Sequence, residues 1–314
     1  MEESENSIIK KKPRFDDEID LAEIFTALKI GKRLIFITTI ALAFTGLAFS
    51  LLLTDYYRSE AILIERDDEG ASSLSGYSQL ASLSGLNISS NNSNSVLEAI
   101  ELIKSREFVK HLISFEGIMP SLMAASSFNK STQTLNFDPE IYNLSQNNWI
   151  RKESKTQTGQ PSYLEVHKKY INDVLSINQD DKTGLVYMSV THISPVFAKE
   201  FLSLIIQEAN SYKRDRDIDT SKKAINYLEQ ELSKTPLKEI KNSISQLIES
   251  QLEVLMMANA YNHYTLVPIE PPFIPDEKSE PFRSLIVIAF TITGLLASSF
   301  FVLFSYYFNQ ANRP

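Results

Sequence analysis

The chain has 314 residues, with 31 Lys and Arg, 39 Asp and Glu, a formal net charge of -8 and no cysteine. The lack of cysteine excludes a disulfide scaffold, a cysteine-based metal finger and a thiol nucleophile. A net negative chain is also a poor candidate for binding nucleic acid, because that affinity comes mainly from Lys and Arg neutralising phosphates. The mean hydropathy of -0.14 is typical of a soluble acidic protein, but the apolar residues are unevenly distributed.

Two uncharged apolar runs, residues 34–53 and 284–304, lie near the two ends of the chain. A helix of about 20 residues spans the roughly 30 Å hydrocarbon core of a bilayer. Two such runs are unusual for a globular core, and the first is too long for a signal peptide and lacks an A-x-A-like cleavage site. We therefore predict transmembrane helices at 34–53 and 284–307, neither of which contains an acidic or basic side chain.

The basic residues near the first span set the predicted orientation. Lys29, Lys32 and Arg33 precede it, and Lys and Arg concentrate on the cytoplasmic side of membrane proteins. Lys278 and Arg283 before the second span disagree weakly, but the first span usually dominates. The predicted order is a cytoplasmic tail (1–33), the first span, a periplasmic domain (54–283), the second span and a cytoplasmic stub (308–314).

The first part of the outer domain mixes short elements with polar segments. Strands are predicted from alternating apolar residues and helices from apolar residues at helical spacing. Residues 117–160 show neither pattern clearly, and we leave them unassigned. In chain order we expect a strand at 57–66, a serine-rich loop at 70–95, an amphipathic helix at 95–113, a helix at 162–174, and strands at 175–178 and 185–193.

The sequence of the second part of the domain predicts two long helices. Pro195 is a good first-turn residue, and neither Gly nor Pro follows before Pro236, so one helix is expected at about 195–233. A second is expected at about 236–259, capped by Thr235, with apolar residues at heptad positions that would pack on neighbouring helices or subunits. Residues 268–283 are rich in proline, which fixes φ and predicts a stiff extended strut before the second span.

Motifs for catalysis or cofactor binding are absent from the sequence. Gly31-Lys32 would need a glycine at Thr26 to form a phosphate-binding loop, and the G-x-G-x-x-G, H-E-x-x-H and G-x-S-x-G patterns are missing. The four histidines are isolated, and the acidic pairs Asp180-Asp181 and Asp215/Asp217 fit a turn and a solvated helix face. We therefore predict that the protein is not an enzyme and has no cofactor or metal site.

The predicted spans contain small residues at four-residue spacing, namely Gly46 with Ser50 and Gly294 with Ser298. Small residues allow transmembrane helices to approach closely. They are also common in spans, so a packing face and a chance pattern both remain open.

Residues on both membrane flanks resemble the signature segments of a known family. Asp17 to Leu21, followed by Gly31-Lys32, precedes the first span, and a proline-rich segment precedes the second. Together they resemble the Wzz-type chain-length determinant proteins, or polysaccharide co-polymerases, although the usual Ser-Pro pair is here Ser279-Glu280-Pro281. The functional candidates on this resemblance are Asp20, Leu21, Gly31, Lys32, Pro271, Pro272, Pro275, Pro281 and Arg283.

The resemblance implies an α/β extracytoplasmic domain with a small membrane-proximal sheet and long extended helices, anchored by two transmembrane helices. It implies a ring-like homo-oligomer in the bacterial inner membrane that works with a Wzy-type polymerase on nascent lipid-linked polysaccharide. The short C-terminal stub lacks the tyrosine kinase to which capsule co-polymerases couple, which favours a regulator of lipopolysaccharide O-antigen length. Alternatives are an enterobacterial common antigen-type or capsule co-polymerase, a membrane-tethered periplasmic sensor or ligand-binding protein, and a periplasm-facing glycan hydrolase or transferase.

Overall fold

The computed structural model describes residues 21–66, 92–152 and 159–311. The chain divides into two compact units, one formed by the two ends up to Leu53 and from Pro281, the other by Thr54–Glu280. In chain order the elements are α1 (Leu21–Leu52), β1 (Tyr57–Glu65), α2 (Asn92–Lys104), α3 (Arg106–Leu112), α4 (Ile118–Ala124), β2 (Ala125–Asn129), β3 (Thr134–Phe137), β4 (Tyr142–Asn143), β5 (Asn148–Trp149), α5 (Tyr163–Lys169), a π-helical turn (Tyr170–Val174), β6 (Leu175–Gln179), β7 (Val186–His192), α6 (Pro195–Lys234), α7 (Lys238–Ala260), β8 (Leu266–Glu270) and α8 (Arg283–Ala311).

The terminal unit is the pair of helices α1 and α8, which contact each other along much of their length. Segments Ile24–Leu52 and Arg283–Phe308 are long and apolar enough to cross a membrane, and only 11% of the most apolar window of each is buried. Phe36 and Phe300, for example, are 68% and 73% exposed. A core helix would bury such side chains, so this exposed apolar surface indicates a membrane-anchored protein.

Helix α1 begins well before the predicted span, at Leu21 rather than residue 34. Between these positions the sequence contains no proline and a single glycine, Gly31. Nothing in the sequence therefore breaks the helix before the apolar run begins. The predicted second span corresponds closely to α8.

The outer unit is built on a four-stranded antiparallel sheet in the order β6-β7-β1-β8. Alternate residues of β1 and β7 are buried, so the sheet has one core face and one open face. The first half of α6 packs on this sheet, and the largest buried side chains come from the sheet, α2, α3, the π-helical turn (Tyr170) and α6. They include Leu63, Ile103, Phe108, Met188, Phe201, Leu202 and Ile205.

The long helix predicted from Pro195 is present and has 40 residues, about 60 Å at 1.5 Å per residue. Beyond Asn210 only Ser221 of this helix is fully buried, and this second half pairs with α7. Helix α7 in turn buries only Ile244 and Ala258. Several of its larger apolar side chains are exposed, namely Ile240, Leu247, Leu252 and Met256.

Several predicted boundaries differ from the structure for local reasons. The predicted helix 95–113 is broken into α2 and α3 because the Ser105 side chain accepts a hydrogen bond from the Phe108 N–H and caps a new helix. Helix α7 begins at Lys238 because Thr235 caps the end of α6, donating its hydroxyl to the Glu231 carbonyl. The unassigned segment 117–160 contains α4 and two short hairpins, and most of the predicted loop 70–95 lies outside the described residues.

The fold class predicted from the sequence is confirmed. The outer unit combines a small sheet with two long helices, and apolar helices lie at both ends of the chain.

Candidate functional site: the proline-rich segment and the paired spans

The proline-rich segment follows β8, which pairs antiparallel with the second half of β1, so the segment returns along the start of β1. Ser59 of β1 is fully buried and donates its hydroxyl to the Phe273 carbonyl at 2.7 Å. Because prolines lack an N–H, a side-chain donor on the neighbouring strand is one of the few ways to bind this segment.

The end of the segment is bound to the residues that follow the first span. Ser279 donates its N–H to the Tyr56 carbonyl at 2.8 Å, and Tyr56 donates its own N–H to the Glu280 carbonyl at 2.9 Å. Two ion pairs flank this bridge, Arg58–Glu280 at 3.0 Å and Lys278–Asp55 at 3.2 Å. We call residues 55–59 with 273–280 the pre-span clamp.

The pre-span clamp joins the two ends of the outer unit. Its ion pairs are partly exposed, and each such pair contributes at most about 1 kcal/mol. The buried Ser59 hydroxyl and the two backbone bonds add about 1 kcal/mol each, and the prolines reduce the conformational freedom of the unfolded segment. The clamp therefore depends on many modest contacts, held in place by the extended proline path.

The predicted prolines differ in burial. Pro275 is buried, Pro272 and Pro281 are half-buried, and Pro271 is exposed. Arg283 is the first residue of α8. Among these candidates, Pro275 is the buried side chain, so its replacement should disturb the path of the segment most.

The glycines of the helix pair lie where α1 and α8 approach each other. A Cβ added to Gly46 would lie 2.7 Å from Phe290 Cβ, and one added to Gly294 would lie 3.3 Å from Thr39 Cα. Gly31 of the N-terminal motif faces Val302, which leaves no room for a Cβ. Close helix packing thus accounts for the small size of all three residues.

The remaining candidates of the helix pair have simpler environments. Ser50 and Ser298 are buried, and each donates its hydroxyl to its own helix, to the carbonyls of Leu47 and Leu295. Lys32 is exposed on α1. Leu21 is the first residue of α1, and Asp20 lies outside the described residues.

The histidines and acidic pairs have separate structural partners. His111 contacts Glu208 at 2.8 Å, His167 the Lys104 carbonyl and His192 the Ser121 carbonyl. The Lys182 N–H bonds Asp180 and lowers its pKa, while Asp215 and Asp217 pair with Arg214 and Lys213 on α6. Within residues 21–66, 92–152 and 159–311, no three His, Asp or Glu side chains cluster as metal ligands would.

Sequence reasoning found the proline-rich segment but missed the partners that hold it. Asp55, Arg58 and Ser59 belong to the clamp only because β8 pairs with β1 across some 200 residues of sequence, and no local pattern signals that pairing. On the proline-rich side of the clamp, the motif did point to Pro275 and to Ser279-Glu280.

The fold and the clamp define a membrane-anchored α/β protein whose outer unit has its two ends tied together. Residues 17–115 of the chain match the family model of Wzz, chain length determinant protein. This match contains the predicted N-terminal motif and all of α1, so the resemblance predicted from the motifs is confirmed.

Among solved structures, the chain is similar to a full-length bacterial polysaccharide co-polymerase, at 12% identity and a TM-score of 0.41, over 94% of this chain and 100% of that one. No curated protein matches the sequence.

Proposed function

We propose that this protein sets the length of a bacterial surface polysaccharide, the O-antigen of lipopolysaccharide, without catalysing its synthesis. The match of residues 17–115 to the chain length determinant family carries this proposal. In this role the protein is a scaffold for a Wzy-type polymerase and its nascent lipid-linked polysaccharide.

The proposed location is the inner membrane, with both termini in the cytoplasm and the outer unit in the periplasm. The excess of basic residues before the first span supports this orientation. The two apolar helices would fix the outer unit at both of its ends, where the pre-span clamp lies.

The proposed working form is a ring-like homo-oligomer. Leu247 and Met256 of α7 are 53% and 71% exposed, and exposed apolar side chains on a long helix favour packing against a further surface. The second half of α6 and α7 would then form walls between subunits.

Deletion of the gene, followed by gel separation of the surface polysaccharide, tests the proposal. We expect loss of the preferred chain length while polymer is still made, because the protein regulates synthesis and does not perform it. Complete loss of polymer would point to an enzyme or an exporter, and an unchanged profile would contradict the proposal.

A further inference from the structure

A cleft of about 530 Å³ lies in the outer unit beside the pre-span clamp. Its walls come from the start of β1, the end of β7, the π-helical turn and Glu280 of the clamp. The volume falls within the roughly 300–1,000 Å³ of small-molecule sites. Tyr56, which lines the cleft, follows the end of α1 by four residues in the sequence.

The π-helical turn gives this wall an unusual backbone. Residues Tyr170–Val174 continue α5 with a wider turn. Asn172 and Asp173 of this turn line the cleft, as does Lys169, which precedes it. π-Helical turns are rare and frequently occur at functional sites, because an ordinary α-helix is more stable. Asn172 and Asp173 are exposed, so their polar atoms are available to a ligand.

The charges of the cleft cancel. Arg58 and Lys169 are positive, Asp173 and Glu280 are negative, and His192 is neutral because burial lowers its pKa to about 4. Arg58 and Glu280 already pair with each other. An anion bound here would be attracted by Lys169 but repelled by Asp173. The cleft therefore has no general preference for negative groups.

Lys169 is the least satisfied of these groups. It is half-buried, and among the residues that the structure describes its ammonium group has neither an ion pair nor a hydrogen bond. Burial lowers its pKa, and Asp173 offsets this effect only in part. A half-buried ammonium without a bonded partner is unfavourable unless another group accepts its hydrogen bonds.

The lining offers donors and acceptors side by side. Lys169 donates, Asp173 accepts, and Asn172 and Thr191 do both. A sugar hydroxyl also donates and accepts, so neighbouring hydroxyls on one ring need this mixture of partners. A phosphodiester offers only acceptors and would leave the Asp173 carboxylate without a donor, and the negative charge of any phosphate would be repelled by that carboxylate.

From this arrangement we infer that the cleft is a carbohydrate-binding site, in which Lys169, Asn172, Asp173 and Thr191 bind the hydroxyl groups of a short stretch of polysaccharide. The inference rests on the proposed function for the identity of the glycan. The bound segment would lie beside the pre-span clamp, where the chain enters and leaves the outer unit.

Competition with lysine labelling tests the site in the intact protein. The full chain is purified in detergent and acetylated sparingly at pH 7, with and without the lipid-free polysaccharide released by mild acid from the bacterium that carries the gene. We expect polysaccharide at ten times its Kd to slow acetylation of Lys169 about tenfold by mass action. Lys168, the exposed neighbour on α5, is the internal control and should react at an unchanged rate.

Two variants and a second probe sharpen the test. Asp173→Asn should weaken binding by about fivefold or more, because the amide leaves a sugar hydroxyl without its charged acceptor, whereas Lys168→Gln should bind normally. Equal labelling of Lys169 with and without polysaccharide would overturn the inference, as would protection by inorganic phosphate in place of polysaccharide. Because binding is measured on purified protein, its failure is separable from an unchanged polymer profile in the deletion strain.

Discussion

His192 is a buried histidine whose two ring nitrogens are both bonded. Its Nε2 faces the Ser121 carbonyl at 2.9 Å, so this nitrogen carries the proton, and Nδ1 accepts the Ser194 N–H at 3.1 Å. Burial, and to a lesser degree the charge of Lys169, lower its pKa to about 4. A proton added to Nδ1 would break the hydrogen bond from the Ser194 N–H at the start of α6. The folded structure therefore favours the neutral imidazole.

The pH dependence of unfolding reports this state. Above pH 6.5 His192 is neutral in both the folded and the unfolded chain. Between pH 6.5 and about 4 only the unfolded chain binds the proton, so stability should fall by about 3 kcal/mol as the pH drops. Denaturant unfolding at pH 7.5 and 4.5 measures the loss, which His192→Gln should reduce. A His263→Gln variant, at an exposed site, should keep the full dependence, and an equal loss in all three proteins would contradict the assignment.

The glycines of α1 and α8 make a second prediction at this scale. The chain lacks cysteine, so Leu42→Cys with Gly294→Cys introduces a single pair, whose Cβ atoms would lie about 3.1 Å apart. We expect an intramolecular disulfide between the two helices. It is detected by cleaving the chain within the outer unit, after which the disulfide keeps the two ends of the chain linked.

Adding Gly46→Leu should lower the yield of this disulfide, because the new side chain displaces Phe290 and overpacking costs about 1–3 kcal/mol. The matched control is Ala48→Leu, on an exposed part of the same helix. Equal yields in the two variants would show that close approach at Gly46 is unimportant.

At the scale of elements, the pre-span clamp depends on a strand that follows the long helices and returns to the first strand of the unit. Ser59 is buried against Phe273, and Pro275 is buried two residues further on. The clamp thus continues from the pairing of β1 with β8 and fixes the path of the chain as far as Glu280.

Pro275→Ala tests the functional importance of this path. Alanine gives the unfolded segment more freedom, a loss of about 0.4–1 kcal/mol, and loosens the segment between Phe273 and the Tyr56 bridge. We expect the modal polysaccharide length to change on a gel while polymer is still made. Pro139→Ala, at an exposed turn outside the clamp, should leave the mode in place, and an unaltered mode in Pro275→Ala would argue against a role for the strut.

The elements also show which features a sequence can predict. Helix α6 was predictable because its 40 residues contain no helix breaker after Pro195. The hairpins within 117–160 were not, because Gln133 and Asn147 adopt positive φ in their turns without a glycine to signal it. The pairing of Tyr57 with His192 joins distant parts of the chain, so the clamp and the cleft could emerge only from the fold.

At the scale of the whole molecule, exposed apolar side chains extend along the terminal helices and also occur on α7. The first fits a lipid bilayer, and the second fits the proposed contact between subunits. Polar groups converge in the cleft, but motifs for a reaction are absent from the sequence. Assembly and shape are therefore the means by which we propose that this protein acts.

Single cysteines test the orientation. Ser145→Cys, at an exposed hairpin of the outer unit, and Lys32→Cys, at an exposed position on α1, introduce one thiol each. In cells with a permeabilised outer membrane, an impermeant maleimide should label residue 145 only, because in the proposed topology Lys32 lies on the cytoplasmic side. Labelling of residue 32 without disruption of the inner membrane would reverse the proposed topology.

The most direct test of the central claim compares total polymer with its length distribution in deletion cells before and after the gene is restored. Regulation without catalysis predicts that total surface sugar stays the same, while the restored gene gathers chains around one preferred length. A proportional rise of all lengths together with total sugar would contradict the account.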